Sequence, residues 1–131
     1  TGHLVFSSLH TNSASQTINR IIDVFPSNQQ NQIRLQLANT ISAVISQRLL
    51  PRISGGRIPA VEVMFTNNAV SNLIRENKTY QLDLVIETSL EDGMISLNRS
   101  LAELVRRGEV APETALVYSL NPEELQQTII Q

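Results

Sequence analysis

The chain has 131 residues, with 41% hydrophobic and 17% charged side chains, enough to bury the core of one compact domain. Ten basic residues against 12 acidic ones leave a formal net charge of -2, which makes no electrostatic footprint for nucleic acid or anionic lipid. There is no cysteine, so disulfides and thiolate zinc sites are excluded, and no apolar run approaches the roughly 20 residues of a membrane span.

In chain order, Gly2 to Ser7 reads as a short buried strand. Ser13 or Asn12 can cap a helix reaching Asp23, with Ile18, Ile21, Ile22 and Phe25 on one face. Pro26 closes it. A longer helix is expected from about Gln29 to Leu49, because Ile33, Leu37, Ile41, Val44 and Ile45 keep a helical period. Pro51 ends it. The period then changes. Leu49–Ile53 and Arg57–Phe65 read as extended runs joined by a Ser54-Gly55-Gly56 turn, with Val61, Val63 and Phe65 alternating with Glu62 and Met64.

From Asn67 the pattern is helical again. Short helices are expected over Ala69–Glu76 and Tyr80–Glu87, and Asp92-Gly93 breaks the chain. Ser96 can cap a helix that buries Leu97, Leu101, Leu104 and Val105 and closes at Gly108, with Arg106 and Arg107 in its last turn. Pro112-Glu113 and Asn121-Pro122-Glu123-Glu124 open two more. The expected class is an α/β front followed by a helical C-terminal region, predominantly α.

The residues that can carry chemistry are few. His3 and His10 lie seven apart across a strand and its following turn, which does not set both on one metal, so no metal site is expected. A histidine at the carboxyl end of a strand is well placed to meet a ligand. It equally reads as a hydrogen-bonded structural residue. No Gly-x-x-x-x-Gly-Lys-Ser/Thr loop occurs and the single lysine is Lys78, so nothing in these residues cradles a phosphate. Of Arg20, Arg34, Arg48, Arg52 and Arg57, none stands out as an arginine finger.

The run Thr1, Gly2, His3, Leu4, Val5, then Leu9, His10, Thr11, resembles the histidine box of the secretion ATPases, the ring-forming motors of type II secretion and type IV pili. Ser8 stands where threonine is common. The run Ala69-Val70-Ser71-Asn72-Leu73-Ile74-Arg75-Glu76 resembles the Ala-Ile-Arg-Asn-Leu-Ile-Arg-Glu helix of the PilT-type retraction motors, with Ser71 replacing the first arginine. Gly93-Met94-Ile95-Ser96-Leu97 resembles a late helix start in the same class. The four-cysteine module that extension motors carry after the position of Leu50 is absent.

That resemblance implies a C-terminal portion of a hexameric ATPase driving pilus retraction and twitching motility. In it, residues 1–65 would complete a RecA-like ATPase domain and residues 66–131 would form a helical region transmitting motion. It implies His10 and His3 as catalytic residues supported by Thr1, Gly2 and Thr11, and a retraction motif of Ala69, Asn72, Leu73, Ile74, Arg75 and Glu76. It implies ATP and Mg²⁺ in the parent protein, with neither held tightly by this portion alone, which is expected to be inactive. A homo-hexamer, an inner-membrane platform partner and a place at the cytoplasmic face of the inner membrane follow from the same likeness, with no nucleic acid bound. It also requires residues 2–7 and 57–65 to share a sheet. The alternatives are a related extension or secretion ATPase, or a non-enzymatic helical interaction module.

Overall fold

The computed structural model describes residues 3–130; Thr1, Gly2 and Gln131 lie outside the described residues. Two helices lead, α1 (Ala14–Asp23) and α2 (Ser27–Thr40). An antiparallel hairpin follows, β1 (Ala43–Pro51) and β2 (Arg57–Phe65), and then five helices: α3 (Asn68–Arg75), α4 (Leu82–Thr88), α5 (Leu97–Arg106), α6 (Pro112–Tyr118) and α7 (Pro122–Ile130). An α/β front runs into a helical back, and helix predominates, as expected.

The helix starts are those the capping residues dictate. Ser13 accepts from the Gln16 amide, Asn67 from Val70 and Ser96 from Arg99, while Pro112 occupies the first turn of α6. Gly108 closes α5 at φ 73°, a left-handed position that suits glycine.

The expected helix over residues 29–49 is shorter. It ends at Thr40, and Ala43–Pro51 is strand instead of helix. Ile41, Val44 and Ile45 fit a helical period, but Val44, Ser46 and Leu50 also share the buried face of a strand, and β-branched side chains favour that choice. Pairing settles it: β1 matches β2 from Ala43↔Phe65 to Pro51↔Arg57 without a slip. The Gly55-Gly56 turn has positive φ at both glycines, as a tight hairpin demands.

The expected strand at the start does not form. Residues 3–7 carry no regular structure, and Leu4, Val5 and Phe6 are 81%, 79% and 87% exposed. They share no sheet with 57–65, so the shared sheet that the resemblance requires is not met among the described residues, where β1 and β2 pair with each other and Val63 makes an isolated bridge to Ile95. A strand needs a neighbour to satisfy its amides, and no described residue offers one.

Two apolar clusters build the core. One gathers Ile18, Ile22, Val44, Met64, Ile74 and Ile86 beneath the front, and the other gathers Leu50, Ala60, Leu101, Leu104, Val110 and Leu125 beneath the back. The hairpin contributes to both, so it is the wall shared by the two halves. Its opposite face, with Ile45 at 67% and Leu49 at 44% exposed, is left open.

Candidate functional site

His3 and His10 are exposed, and the residues between them carry no regular structure. What fixes His10 is the turn after it. Thr11 and Thr17 share a hydroxyl hydrogen bond of 2.6 Å, and the Asn12 amide donates to Gln16 Oε1 at 2.9 Å. The Thr17 hydroxyl donates to the Ser13 carbonyl at 2.9 Å, while the Ser13 hydroxyl caps α1. This web closes the first turn of α1 immediately behind His10. Thr11 is half-buried within it. Thr1 and Gly2, the other residues the histidine box implies, fall outside the described residues.

One bond leaves the turn for a distant element. The Ala14 amide, first in α1, donates to Glu62 Oε1 at 2.7 Å across 48 residues of sequence. Glu62 lies on the inward face of β2 and is 6% exposed. Burial pushes its carboxyl above the ordinary value. The Ala14 amide opposes that shift, the negative charge of Asp83 adds to it, and the Leu97 amide at the start of α5 opposes it again. The carboxylate therefore sits where two helix N-termini converge, the place where a buried negative charge is best tolerated.

Asp83, Glu87 and Glu124 complete an acidic rim around Glu62, beside Asn98 and Asn121, over a small hollow of about 140 Å³. The Asp83 carboxyl is raised by burial and then by Glu124; that of Glu87 is raised by burial, then by its hydrogen bond with and the charge of Glu124. No group of three or more ligating side chains among the described residues is arranged to hold a metal ion.

The second implied motif lies elsewhere. On α3, Ile74 is buried and Leu73 packs against the front cluster, while Ala69, Asn72, Arg75 and Glu76 are exposed. Arg75 Nη1 donates to Asn72 Oδ1 at 2.7 Å, and its Nη2 reaches Asn39 Oδ1 of α2 at 3.4 Å. Ser71, at the departing position, donates its hydroxyl to the Ala38 carbonyl at 2.9 Å. These groups line an open polar cleft of about 620 Å³ between the end of α2 and α3. The histidine segment lines a different cleft, against β1, and Ile41 is the one residue common to both. The two motifs are thus not brought into one site.

The described residues alone make no nucleotide site. Lys78 stands in the loop after α3 and pairs with Glu76 at 3.6 Å, and Gly55-Gly56 is a hairpin turn. Sequence reasoning missed Glu62 as well. The alternation points the other way: β2 carries more apolar bulk on Val61, Val63 and Phe65 than on the row with Glu62, yet Ala60, Glu62 and Met64 are the buried row.

The fold, an α/β front feeding a helical back, is shared by solved structures. The chain superposes on the crystal structure of the pilus retraction motor PilT with bound ADP at a TM-score of 0.86 and 45% identity, covering 97% of this chain and 35% of that one. The ATPase DotB of Legionella pneumophila has the same fold at 15% identity, with a TM-score of 0.67 over 82% of this chain and 29% of that one. Residues 1–56 match the family described as type II/IV secretion system protein. Across 95% of its length the chain is 45% identical to a twitching motility protein of Neisseria gonorrhoeae, covering 34% of it. Across 94% it is 43% identical to the type IV pilus retraction ATPase PilT of Pseudomonas aeruginosa, covering 36% of it. Over nearly its whole length the chain is thus similar to PilT-type secretion ATPases. It spans about a third of the length of the relatives it matches.

Proposed function

We propose that the chain is the C-terminal portion of a hexameric ATP-hydrolysing motor that drives type IV pilus retraction and twitching motility. The observation that carries this reading is the 45% identity to a twitching motility protein over 95% of the chain. The superposition on the retraction motor supports it independently. In this reading residues 1–65 belong to the RecA-like ATPase domain, and residues 66–131 form the helical region that passes on its motion.

The open surfaces support that division. The run Leu4–Phe6 and the outward residues Ile45, Leu49 and Phe65 of the hairpin are apolar and remain exposed among the described residues. The preceding part of the motor domain would supply the missing strand and layer. It would also supply the phosphate loop and the ligands for Mg²⁺, since the residues present cannot hold ATP or Mg²⁺ by themselves. This portion alone is accordingly inactive.

Within the motor, His10 and His3 are assigned to the catalytic centre, with Thr1, Gly2 and Thr11 as nucleotide-proximal support. The exposure of His10 and the rigid turn behind it favour this role. Ala69, Asn72, Leu73, Ile74, Arg75 and Glu76 are assigned to retraction. The polar cleft along α3 supports a contact role for Asn72 and Arg75, while Leu73 and Ile74 seat the helix. The partners are five further copies and a pilus platform protein in the inner membrane, which places the motor at the cytoplasmic face. No helix among the described residues is long and apolar enough to cross a membrane.

Deleting the gene tests the reading directly. Retraction requires that pili still assemble while twitching stops. Loss of pili altogether would instead assign the motor to extension. In the full-length protein, His10→Ala should lower ATP turnover roughly 100-fold, the low end for a group acting on the reacting centre. Unchanged turnover would remove His10 from the catalytic centre.

A further inference from the structure

The carboxylate of Glu62 is the single hydrogen-bonding link, among the described residues, between the His10 turn and the rest of the fold. Every other hydrogen bond of residues 11–14 closes within the first turn of α1. That web makes the turn stiff but does not orient it. Orientation comes from packing of α1 and from the 2.7 Å bond of the Ala14 amide to Glu62 Oε1. Ala14 is four residues after His10, so a shift of this bond is passed on through a stiff, short lever.

Glu62 also faces the other half of the molecule. Ser96 and Leu97 at the start of α5, Asp83 and Glu87 of α4, and Glu124 of α7 border the same hollow. β2 itself is fixed to α5 by the Val61 amide donating to the Ser100 hydroxyl at 3.0 Å, and to Ile95 by a pair of backbone bonds at 2.8 and 3.0 Å. A carboxylate on an inward strand position, with a helix N-terminus on either side, joins the start of the front helix to the helical region; farther along α1, the Thr79 hydroxyl donates to Asn19 Oδ1 at 2.8 Å.

We propose that Glu62 is a positioning residue, which orients the His10 turn by holding the Ala14 amide and ties that orientation to the start of α5. It touches no substrate. It acts through α1, and it is the point nearest His10 at which movement of the helical region would reach the turn. This inference rests on the ATPase reading only for its kinetic consequence; the tether itself is a property of the fold.

Two variants separate the parts. Glu62→Ala removes the acceptor. Glu62→Gln keeps an acceptor for Ala14 but removes the negative charge that faces the start of α5 across the shared hollow. Hydrogen exchange on the full-length protein reads the tether without activity. In Glu62→Ala the Ala14 amide should exchange about 10-fold faster or more, as for a lost buried hydrogen bond. In Glu62→Gln it should stay within about threefold of wild type, while the Leu97 amide loosens about 10-fold. ATP turnover then tests positioning: kcat should fall about 10-fold in Glu62→Ala, with KM for ATP within about twofold. Met64→Val, from the same buried row, is the control; it should lower thermal stability and leave kcat unchanged.

Wild-type kcat in a folded Glu62→Ala or Glu62→Gln protein overturns the proposal. So does unchanged exchange at Ala14 in Glu62→Ala, or a kcat loss in Met64→Val equal to that in Glu62→Ala. If Glu62→Ala does not fold, Glu62→Gln decides: loosening at Leu97 with reduced kcat upholds the tie to α5, and wild-type behaviour at both refutes it. A wild-type protein without ATP turnover would sink the ATPase reading, and the exchange result would still stand or fall alone.

Discussion

The hairpin tip is held to the turn after α5 by one ion pair, and a double-mutant cycle can measure its worth. Arg52 donates from Nε and Nη2 to the same Glu109 Oε2, at 2.9 and 2.6 Å, across 57 residues of sequence. The gross attraction of such a pair near a protein surface is about 4 kcal/mol. The side chains are 37% and 22% exposed, so screening and side-chain entropy remove much of it. Exposed pairs net about 0.2–1 kcal/mol, and hydrogen bonds to charged groups about 1.5–3 kcal/mol. This half-exposed, charge-assisted pair falls between, at about 1 kcal/mol of coupling. The backbone bond from the Ile53 amide to the Glu109 carbonyl, 2.9 Å, survives either truncation, so the cycle isolates the side chains. Urea unfolding of Arg52→Ala, Glu109→Ala and the double variant supplies the four stabilities. High salt should weaken the coupling without abolishing it. Additivity of the two single changes to within about 0.3 kcal/mol would refute the reasoning, and the hairpin tip would then be held by backbone and packing alone.

Gly93 sits at φ 86°, and a Cβ there would lie 3.2 Å from Phe65 Cε2. Gly93→Ala should cost about 1–2 kcal/mol, read as a fall in melting temperature; an unchanged melt would mean that the turn relaxes freely. Leu101, fully buried in the back cluster, should cost about 2–5 kcal/mol on truncation to alanine, whereas Leu84, 64% exposed on α4, should cost under about 0.5 kcal/mol. Equal costs would misplace the core. The Glu87 carboxyl is raised above its ordinary 4.5, so the folded state binds that proton more tightly than the unfolded one. Its contribution to stability is therefore full below that ordinary value and is lost as pH rises through the folded-state value. Glu87→Gln should melt slightly higher than wild type at pH 7, by about 1–2 °C for so exposed a group, and equally at pH 4. A gain that persists at pH 4 would assign the effect to something other than charge.

The parts of the fold legible in the sequence are those decided within one turn of chain. Ser13, Asn67 and Ser96 announce their helices because a cap is a local bond, and Gly55-Gly56 announces the hairpin because the turn needs positive φ. The β1 boundary was hidden because Ile41, Val44 and Ile45 satisfy two periods at once, and only the partner strand breaks the tie. The histidine segment reads as a strand from its apolar run and is not one here, since a strand is a property of two segments and no second one pairs with it among the described residues. Asn72 and Arg75 were legible as residues on a helix. Their shared cleft with Asn39 was not, because nothing local predicts that α2 ends beside α3.

Glu62 is the harder case, and it explains the hairpin's odd polarity. A carboxylate on the buried row of a strand costs free energy unless something compensates. Here the compensation is two helix starts brought together from positions 48 and 35 residues away in sequence, at Ala14 and Leu97. Placing that acid inward forces Val61, Val63 and Phe65 outward, because side chains alternate along a strand. An apolar outward row is stable only if another layer covers it. The buried acid and the partly covered apolar face are thus one choice of register: a hairpin whose inner face holds two helices in place turns its larger apolar side chains outward. Reversing the register would bury the valines and expose Glu62, and it would release α1, and His10 with it, from the sheet.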